Sequence, residues 1–266
     1  MTQTTLAGLD IRVVALDFGG VLRDSSEGLD AGYRAGFSHY DVPYRYRPVD
    51  TWHLRGIGKF DIGIECIKAL LALELSGQAH DLGAIIERPD AEPYIDSVVS
   101  NHEDEPFLAL AERIRLKYKE FFNSPAAGEL IRIYDGAQDA VVTMSGKGYL
   151  VALLTNGNRV TVDRDLSFPT LFDLILSEDD VREKKPSGDG LVIIANTFNV
   201  DVANVIFVCD APNDIRAAKK AGTRSAAVLS GMGRRTDIVG EHPDLIVEDL
   251  DEFARVLPPL YQPVLP

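Results

Sequence analysis

Three short apolar runs, each followed directly by polar residues, constrain the fold of this chain more than any other feature. The runs cover residues 13–16, 150–154 and 205–208. None of them alternates between apolar and polar residues, so each is predicted to be a strand covered on both faces, as in a parallel sheet. Helical patterns lie between and after the runs. This alternation predicts an α/β fold with a doubly wound parallel sheet.

Weaker strand candidates and helical segments complete the pattern. The further strand candidates are residues 174–176, 226–229 and 245–247. The predicted helices are residues 137–147, 190–198 and 214–221. Pro212 lies near the start of the last helix and Gly222 lies just past its end, and both are usual residues at helix boundaries.

Residues 25–135 differ from the rest because no strong strand pattern occurs there. Apolar residues at helical spacing predict two amphipathic helices, with the faces Phe60, Ile64, Ile67, Leu71 and Phe107, Leu110, Ile114, Phe121. We therefore predict a helical domain at 25–135, inserted into a core domain made of residues 1–24 and 136–266. The stretch 78–106 is rich in acidic residues and contains three prolines, so it is predicted to be partly looped.

Polar residues at the ends of the three runs are expected to meet at one edge of the sheet. Asp17 follows the first run, Thr155 follows the second, and Asp210 and Asp214 follow the third. Lys185 precedes a predicted helix. Ligands of open parallel sheets bind at the carboxyl ends of the strands, so these residues form one candidate site.

The residue types at this site suit reactions of phosphate esters. A carboxylate such as Asp17 can attack phosphorus and form an acyl phosphate. Two anions then approach each other, and a divalent cation has to neutralise them. Asp17, Asp210 and a main-chain carbonyl are the hard oxygen ligands that Mg²⁺ prefers. The Thr155 hydroxyl and a lysine can hold the phosphoryl oxygens.

These motifs, in this order, resemble those of the haloacid dehalogenase-like (HAD) hydrolase superfamily. The resemblance covers the whole chain and implies a Rossmann-like core with an inserted α-helical cap domain. It implies that Asp17 is a nucleophile and a Mg²⁺ ligand. It also implies that Gly19 ligates the metal through its carbonyl, and that Asp210 and Asp214 complete the metal site.

The same resemblance assigns residues to the substrate. Thr155 and Lys185 would bind the transferred phosphoryl group, and Asn156 would add an amide contact. Arg55 and Lys59 resemble the loop with which such caps reach and select the substrate. The implied activity is that of a phosphatase acting on a small phosphorylated metabolite through an aspartyl phosphate.

One position departs from the pattern of family phosphatases. They usually carry a second Asp two residues after the nucleophile, which protonates the leaving group and then activates water. Gly19 stands there in this chain. Another acid, such as Asp24 or a residue of the helical domain, would then have to act. Otherwise the leaving group needs little protonation, or the chain is a catalytically weak binding protein.

Different chemistry is a further alternative, because family dehalogenases and phosphonoacetaldehyde hydrolases also lack this Asp. The dehalogenases need no metal, whereas Asp210 and Asp214 keep metal-site spacing. The segment from Gly56 to Asp61 resembles the part of phosphonoacetaldehyde hydrolases that carries a Schiff-base lysine, here Lys59. However, Ile62 stands where a histidine would be expected.

Composition limits the partners and the location. The net charge of −14 disfavours nucleic acid and membrane surfaces as partners. Two isolated cysteines, Cys66 and Cys209, fit a reducing compartment. The N-terminus lacks a signal peptide pattern, and the apolar runs are far shorter than the roughly 20 residues that span a bilayer. We therefore predict a cytoplasmic enzyme, either a monomer or a homodimer.

Overall fold

The computed structural model of the chain describes residue 6 and residues 8–260. Residues 1–5, residue 7 and residues 261–266, at the ends of the predicted core domain, lie outside the described residues. The chain divides into two compact units. An α/β unit comprises Met1–Asp24, Ile133–Gly231 and Arg235–Pro266, and a helical unit comprises Ser25–Arg132 and Met232–Arg234.

Short strands form the framework of the α/β unit. In chain order they are β1 (Val13–Leu16), β2 (Arg23–Asp24), β3 (Arg132–Ile133), β4 (Leu150–Leu154), β5 (Leu174–Leu176), β6 (Val205–Cys209), β7 (Arg224–Val228) and β8 (Leu245–Val247). Six of them form one sheet in the order β5-β4-β1-β6-β7-β8, and β2 pairs with β3. Every neighbouring pair in the six-stranded sheet is parallel.

The register of the sheet brings three strand ends to one level. Leu16 of β1 lies opposite Leu153 of β4 on one side and Val208 of β6 on the other. β4 and β5 lie on one side of β1, and the later strands β6, β7 and β8 lie on its other side. This change of side is the topological switch point, where α/β proteins bind their ligands.

The helices α1–α7 belong to the helical unit and α8–α13 to the α/β unit. They are α1 (Ser26–His39), α2 (Pro48–Arg55), α3 (Gly63–Leu75), α4 (Leu82–Ile86), α5 (Ala91–Ser100), α6 (Glu105–Phe122), α7 (Pro125–Gly128), α8 (Ala137–Gly146), α9 (Arg159–Asp165), α10 (Asp189–Thr197), α11 (Pro212–Ala221), α12 (Arg235–Gly240) and α13 (Leu250–Val256). In the described part of the chain, none of these helices is both long and apolar enough to cross a bilayer.

Both faces of the sheet are buried, which explains the unbroken apolar runs. Val14 and Leu16 point into a core shared with α8 and α13. Val13 and Ala15 point into a second core shared with α10 and α11. The predicted doubly wound parallel sheet is confirmed, and all three weaker strand candidates form strands, with β7 beginning two residues early at Arg224.

The helical unit packs α1 along α6 at close range. Gly28, Gly32 and Gly36 form one stripe on α1, and a β-carbon on any of them would come within 3 Å of α6 or of Ile131. At Gly36 that neighbour is a main-chain oxygen of α6, 2.8 Å away. The stripe therefore sets how closely the two helices approach. Tyr33 of α1 stacks on Tyr118 of α6, with 4.7 Å between the ring centroids.

Two sequence-based expectations for the helical unit hold only in part. The stretch 78–106, predicted to be partly looped, consists largely of α4, α5 and the start of α6. Pro93 and Pro106 lie in the first turns of their helices, where proline is tolerated because the missing N–H has no helical partner. The buried face of α6 consists of Phe107, Ala111, Ile114 and Tyr118, so Leu110 and Phe121 are only half-buried.

Candidate active site

The carboxyl ends of the central strands hold the candidate catalytic residues in place. Asp17 follows β1, and its main-chain N–H donates to Val208 O at 2.9 Å. Thr155 follows β4, and its N–H donates to Leu176 O at 3.0 Å. Asp210 follows β6 and is fully buried. The sheet ladder therefore continues one residue beyond the strands and fixes the main chain beneath these side chains.

Lys185 connects the first and last motifs by direct ion pairs. Its ammonium lies 2.6 Å from Asp17 Oδ1 and 2.8 Å from Asp214 Oδ1, and all three side chains are more than nine-tenths buried. Burial alone would lower the pKa of Lys185. The charges and hydrogen bonds of Asp17 and Asp214 together raise this pKa by more than burial lowers it, so the net shift is upward. The lysine is therefore a permanent cation and hydrogen-bond donor, not a base.

A cluster of buried carboxylates provides a fitting metal site. One oxygen from each of Asp17, Asp210 and Asp214 lies within 4.8 Å of the others, and all three residues are buried. Three carboxylates and the single ammonium of Lys185 leave a formal charge of −2. A buried excess of charge is costly unless it is paired or binds a metal. Carboxylate oxygens are ligands for Mg²⁺, so the donor set fits a divalent cation of this type.

Two glycines allow the main chain to close around Asp210. A β-carbon on Gly20 or on Gly231 would lie 2.0 Å from Asp210 Oδ2, so neither position has room for a side chain. Gly20 also has a φ of 75°, which favours glycine. Ser230 fastens this arrangement, because its hydroxyl donates to Gly20 O at 3.0 Å.

The second motif is held by its own side chains. Thr155 Oγ1 accepts a hydrogen bond from Gly157 N at 3.0 Å, which leaves the hydroxyl proton of this buried threonine available to a ligand. The amide of Asn156 pairs with the main chain of Lys185 through two hydrogen bonds of 2.9 Å. The structure therefore brings together Asp17, Thr155, Asn156, Lys185, Asp210 and Asp214.

Gly19 has backbone geometry that other residues can adopt. It forms an isolated bridge with Arg23 and does not have a positive φ. Asp24, named above as a substitute acid, lies in β2 and is half-buried. Burial, and after it the negative charges of Asp24 and Asp210, raise the pKa of Tyr134, whose hydroxyl donates to Ser230 O at 3.0 Å.

Arg55 and Lys59 both have partners within the helical unit. The Arg55 guanidinium donates to Tyr33 Oη at 3.1 Å and to Asp61 O at 2.7 Å. Lys59 Nζ lies 2.9 Å from Asp96 Oδ1. The hydrogen bond to Asp96 raises the pKa of Lys59. These contacts support structural roles for both side chains and add no support to their predicted substrate contacts.

Sequence reasoning missed a buried ion pair beside the second motif. Arg23 pairs with Asp165, and both side chains are more than nine-tenths buried. The guanidinium lies over the Phe18 ring, 4.1 Å from its centroid, and Nη2 lies 3.9 Å from the β-carbon position of Gly157. The pair therefore links the segment after Asp17 to α9. A charged residue directly after the apolar Val21 and Leu22 was the available signal.

Known proteins are similar to this chain in sequence. A family model described as haloacid dehalogenase-like hydrolase matches residues 59–228, more than half of the chain. The phosphoglycolate phosphatase of Shigella boydii is 28% identical over 252 residues, which are 93% of this chain and 93% of that protein. The Escherichia coli phosphoglycolate phosphatase is 27% identical over the same shares.

A solved structure shows the same fold. The haloacid dehalogenase-like family hydrolase from Streptococcus pneumoniae superposes with a TM-score of 0.65 at 17% identity, covering 92% of this chain and 98% of that one. The predicted fold class is therefore confirmed, and the relatives support the prediction of a phosphatase-type hydrolase. Because the family model matches more than half of its residues, this chain belongs to the haloacid dehalogenase-like hydrolases.

Proposed function

We propose that the protein is a Mg²⁺-dependent phosphatase of a small phosphorylated metabolite and that Asp17 is its nucleophile. The observation that carries the proposal is the buried cluster in which Lys185 holds Asp17 and Asp214 while three carboxylates converge. A structural ion pair would need one carboxylate for one lysine. The two additional buried carboxylates have a purpose if they bind a cation.

The side chains then have distinct roles in two steps. In the first, an oxygen of Asp17 bonds to phosphorus, the bond between phosphorus and the leaving oxygen breaks, and the leaving oxygen takes up a proton. In the second, water attacks the aspartyl phosphate, releases inorganic phosphate and regenerates the carboxylate. Thr155 donates to a phosphoryl oxygen, and Lys185 stabilises the negative charge that develops there.

Asp17, Asp210, Asp214 and the carbonyl of Gly19 are the proposed metal ligands. A bound divalent cation would reduce the repulsion between the attacking carboxylate and the phosphoryl oxygens. We also propose that the helical unit is the family's cap and selects the substrate, since it is inserted between the first and second motifs. The cytoplasmic location and the choice between monomer and homodimer stay predictions.

Mg²⁺ is expected to raise the thermal unfolding midpoint of the protein. At about a hundredfold excess over its dissociation constant, the ion should raise Tm by roughly 5–10 °C, because it binds only the folded carboxylate cluster. Calorimetry with Mg²⁺ and with EDTA measures the shift without using activity. Asp210→Asn should abolish it. Asp201→Asn, the same change at an exposed turn before β6, should keep it. An equal shift in both variants would contradict the assignment.

Phosphate release from a panel of esters tests the proposed activity. The panel begins with an aryl phosphate, whose leaving group needs little protonation, and with phosphoglycolate, the substrate that the relatives' names state. Sugar phosphates, nucleotides and amino-alcohol phosphates complete it. We expect release with Mg²⁺ and none with EDTA. If no ester is hydrolysed while Mg²⁺ still stabilises the fold, the phosphatase proposal fails and a binding role replaces it.

The phosphonoacetaldehyde alternative has no support from the geometry of Lys59. A Schiff-base lysine has to lose its proton at working pH, so its pKa has to be lowered. The carboxylates of Asp96 and Glu65, 2.9 Å and 3.6 Å from Nζ, favour the protonated form instead. We therefore put forward no second function.

A further inference from the structure

We infer that Asn156 is a positioning residue that holds Lys185 in its catalytic place and is not primarily a ligand of the substrate. Asn156 Nδ2 donates to Lys185 O at 2.9 Å, and Asn156 Oδ1 accepts from Lys185 N at 2.9 Å. A single side chain thus satisfies both main-chain groups of the lysine, in the way that a neighbouring strand would. We call this pair of hydrogen bonds the amide clamp.

The amide clamp acts on a part of the chain that lies outside the helices and strands and is held by local hydrogen bonds, among them those of Arg182 N and Glu183 N to Asp189 Oδ2. Residues 177–188, between β5 and α10, form neither a strand nor a helix. Near the lysine, the segment has a local turn in which Ser187 N donates to Lys184 O at 2.9 Å. Towards its beginning, Glu178 N donates to Gly157 O at 2.9 Å. At Lys185 itself, the two hydrogen bonds of the amide clamp join this segment to Asn156, which lies just after β4.

The position of the lysine main chain limits where its ammonium can lie. A lysine side chain has several rotatable bonds, and Nζ has to stay 2.6 Å from Asp17 Oδ1 and 2.8 Å from Asp214 Oδ1. A displacement of about 1 Å in a catalytic group can lower turnover roughly a hundredfold. The amide clamp fixes the main chain of Lys185, so only the side-chain torsions are left to vary. In this way it contributes to turnover through Lys185.

The hydrogen-bonding capacity of Asn156 favours this role over substrate binding. Its carboxamide has two N–H donors and one carbonyl oxygen. One donor and the oxygen are already bonded to Lys185. One N–H and one lone pair of the oxygen are left for other contacts, and a phosphoryl oxygen could use only the N–H. The orientation of the amide plane is set by the lysine main chain. The inference rests on the proposed catalytic role of Lys185.

A double-mutant cycle separates positioning from binding. With an aryl phosphate, Asn156→Ala should lower kcat roughly 10- to 100-fold and leave KM nearly unchanged. In a Lys185→Met background the same change should have almost no further effect, because nothing is left to position. Asn158→Ala is the matched control, since Asn158 caps α9 in the same loop and makes no amide clamp. A raised KM at unchanged kcat, or a full loss that persists without Lys185, overturns the inference.

A labelling experiment tests the amide clamp without relying on phosphatase activity. An amine-acetylating reagent followed by mass spectrometry compares Lys185 with the exposed Lys184 as an internal standard. Asn156→Ala should raise the relative rate at Lys185 roughly tenfold, since local opening exposes a buried amine. Asn158→Ala should not raise it. Equal rates in wild type and Asn156→Ala overturn the inference, and this holds even if no ester is hydrolysed.

Discussion

Asp17→Asn is expected to lower phosphate release by roughly 10⁴- to 10⁶-fold, the range found when a nucleophile or its partner is removed from a hydrolase. The amide cannot form the acyl phosphate, and the carboxylate cluster loses a third of its negative charge. Release from the aryl phosphate in Mg²⁺ measures the loss. Activity retained in this variant would refute the assignment of the nucleophile.

The same variant is expected to stay folded. Asparagine has the shape of aspartate, and its oxygen can still accept the hydrogen bond that Lys185 donates to Asp17 Oδ1. Removing one carboxylate reduces the formal charge of the cluster together with Lys185 from −2 to −1. Its Tm in EDTA should therefore equal or exceed that of the wild type. Asp201→Asn is the control for the chemical change itself, and a clearly lower Tm of Asp17→Asn alone would show that lost structure accounts for lost activity.

Gly19→Asp is expected to raise turnover of alkyl phosphates by roughly 10²- to 10⁴-fold, the usual contribution of a positioned acid–base group. The change restores the carboxyl that family phosphatases carry two residues after the nucleophile. The backbone of Gly19 has no positive φ, so an aspartate there adds no main-chain strain. The gain should be much smaller for an aryl phosphate, whose leaving group departs without a proton.

The ratio of kcat for an alkyl ester to kcat for the aryl ester measures this effect. Gly19→Asn provides the matched control, because it adds the same volume without an acid. If the two variants change the ratio equally, the side chain acts by its shape. If neither variant changes it, leaving-group protonation does not limit this enzyme, and the missing acid is replaced elsewhere in the chain.

The sheet was predictable because its strands carry their signal locally. A strand that is buried on both faces has to be apolar at every position, and the run at 150–154 coincides with β4. The convergence of Asp17, Thr155 and Asp210 followed from the rule for carboxyl ends of parallel strands. The rule needs only the order of the strands and not their side-chain contacts.

The parts that sequence reasoning missed depend on pairs that are distant in the chain. Asparagine is common in turns, so Asn156 alone predicts only a turn. Its hydrogen bond to Lys185 joins residues that are 29 positions apart. Arg23 and Asp165 are separated by 142 positions, and each alone resembles a surface charge. Of the three prolines in residues 78–106, Pro89 lies between two helices, whereas Pro93 and Pro106 lie in the first turns of α5 and α6. A periodic pattern reports burial within one element and not its partner in another.

The glycine stripe of α1 makes the helical unit unevenly tolerant of sequence drift. Replacing a glycine in a helix interior by alanine ordinarily stabilises the helix by about 1 kcal/mol. At Gly32 and Gly36 that benefit is outweighed, because an added methyl group would have to push α6 away, and at Gly28 it would have to displace Ile131. Gly63, at the start of α3, has no neighbouring atom within 4 Å of an added β-carbon and carries no such restriction. The packing of the helical unit therefore tolerates a side chain at the start of α3, whereas the spacing of α1 against α6 does not.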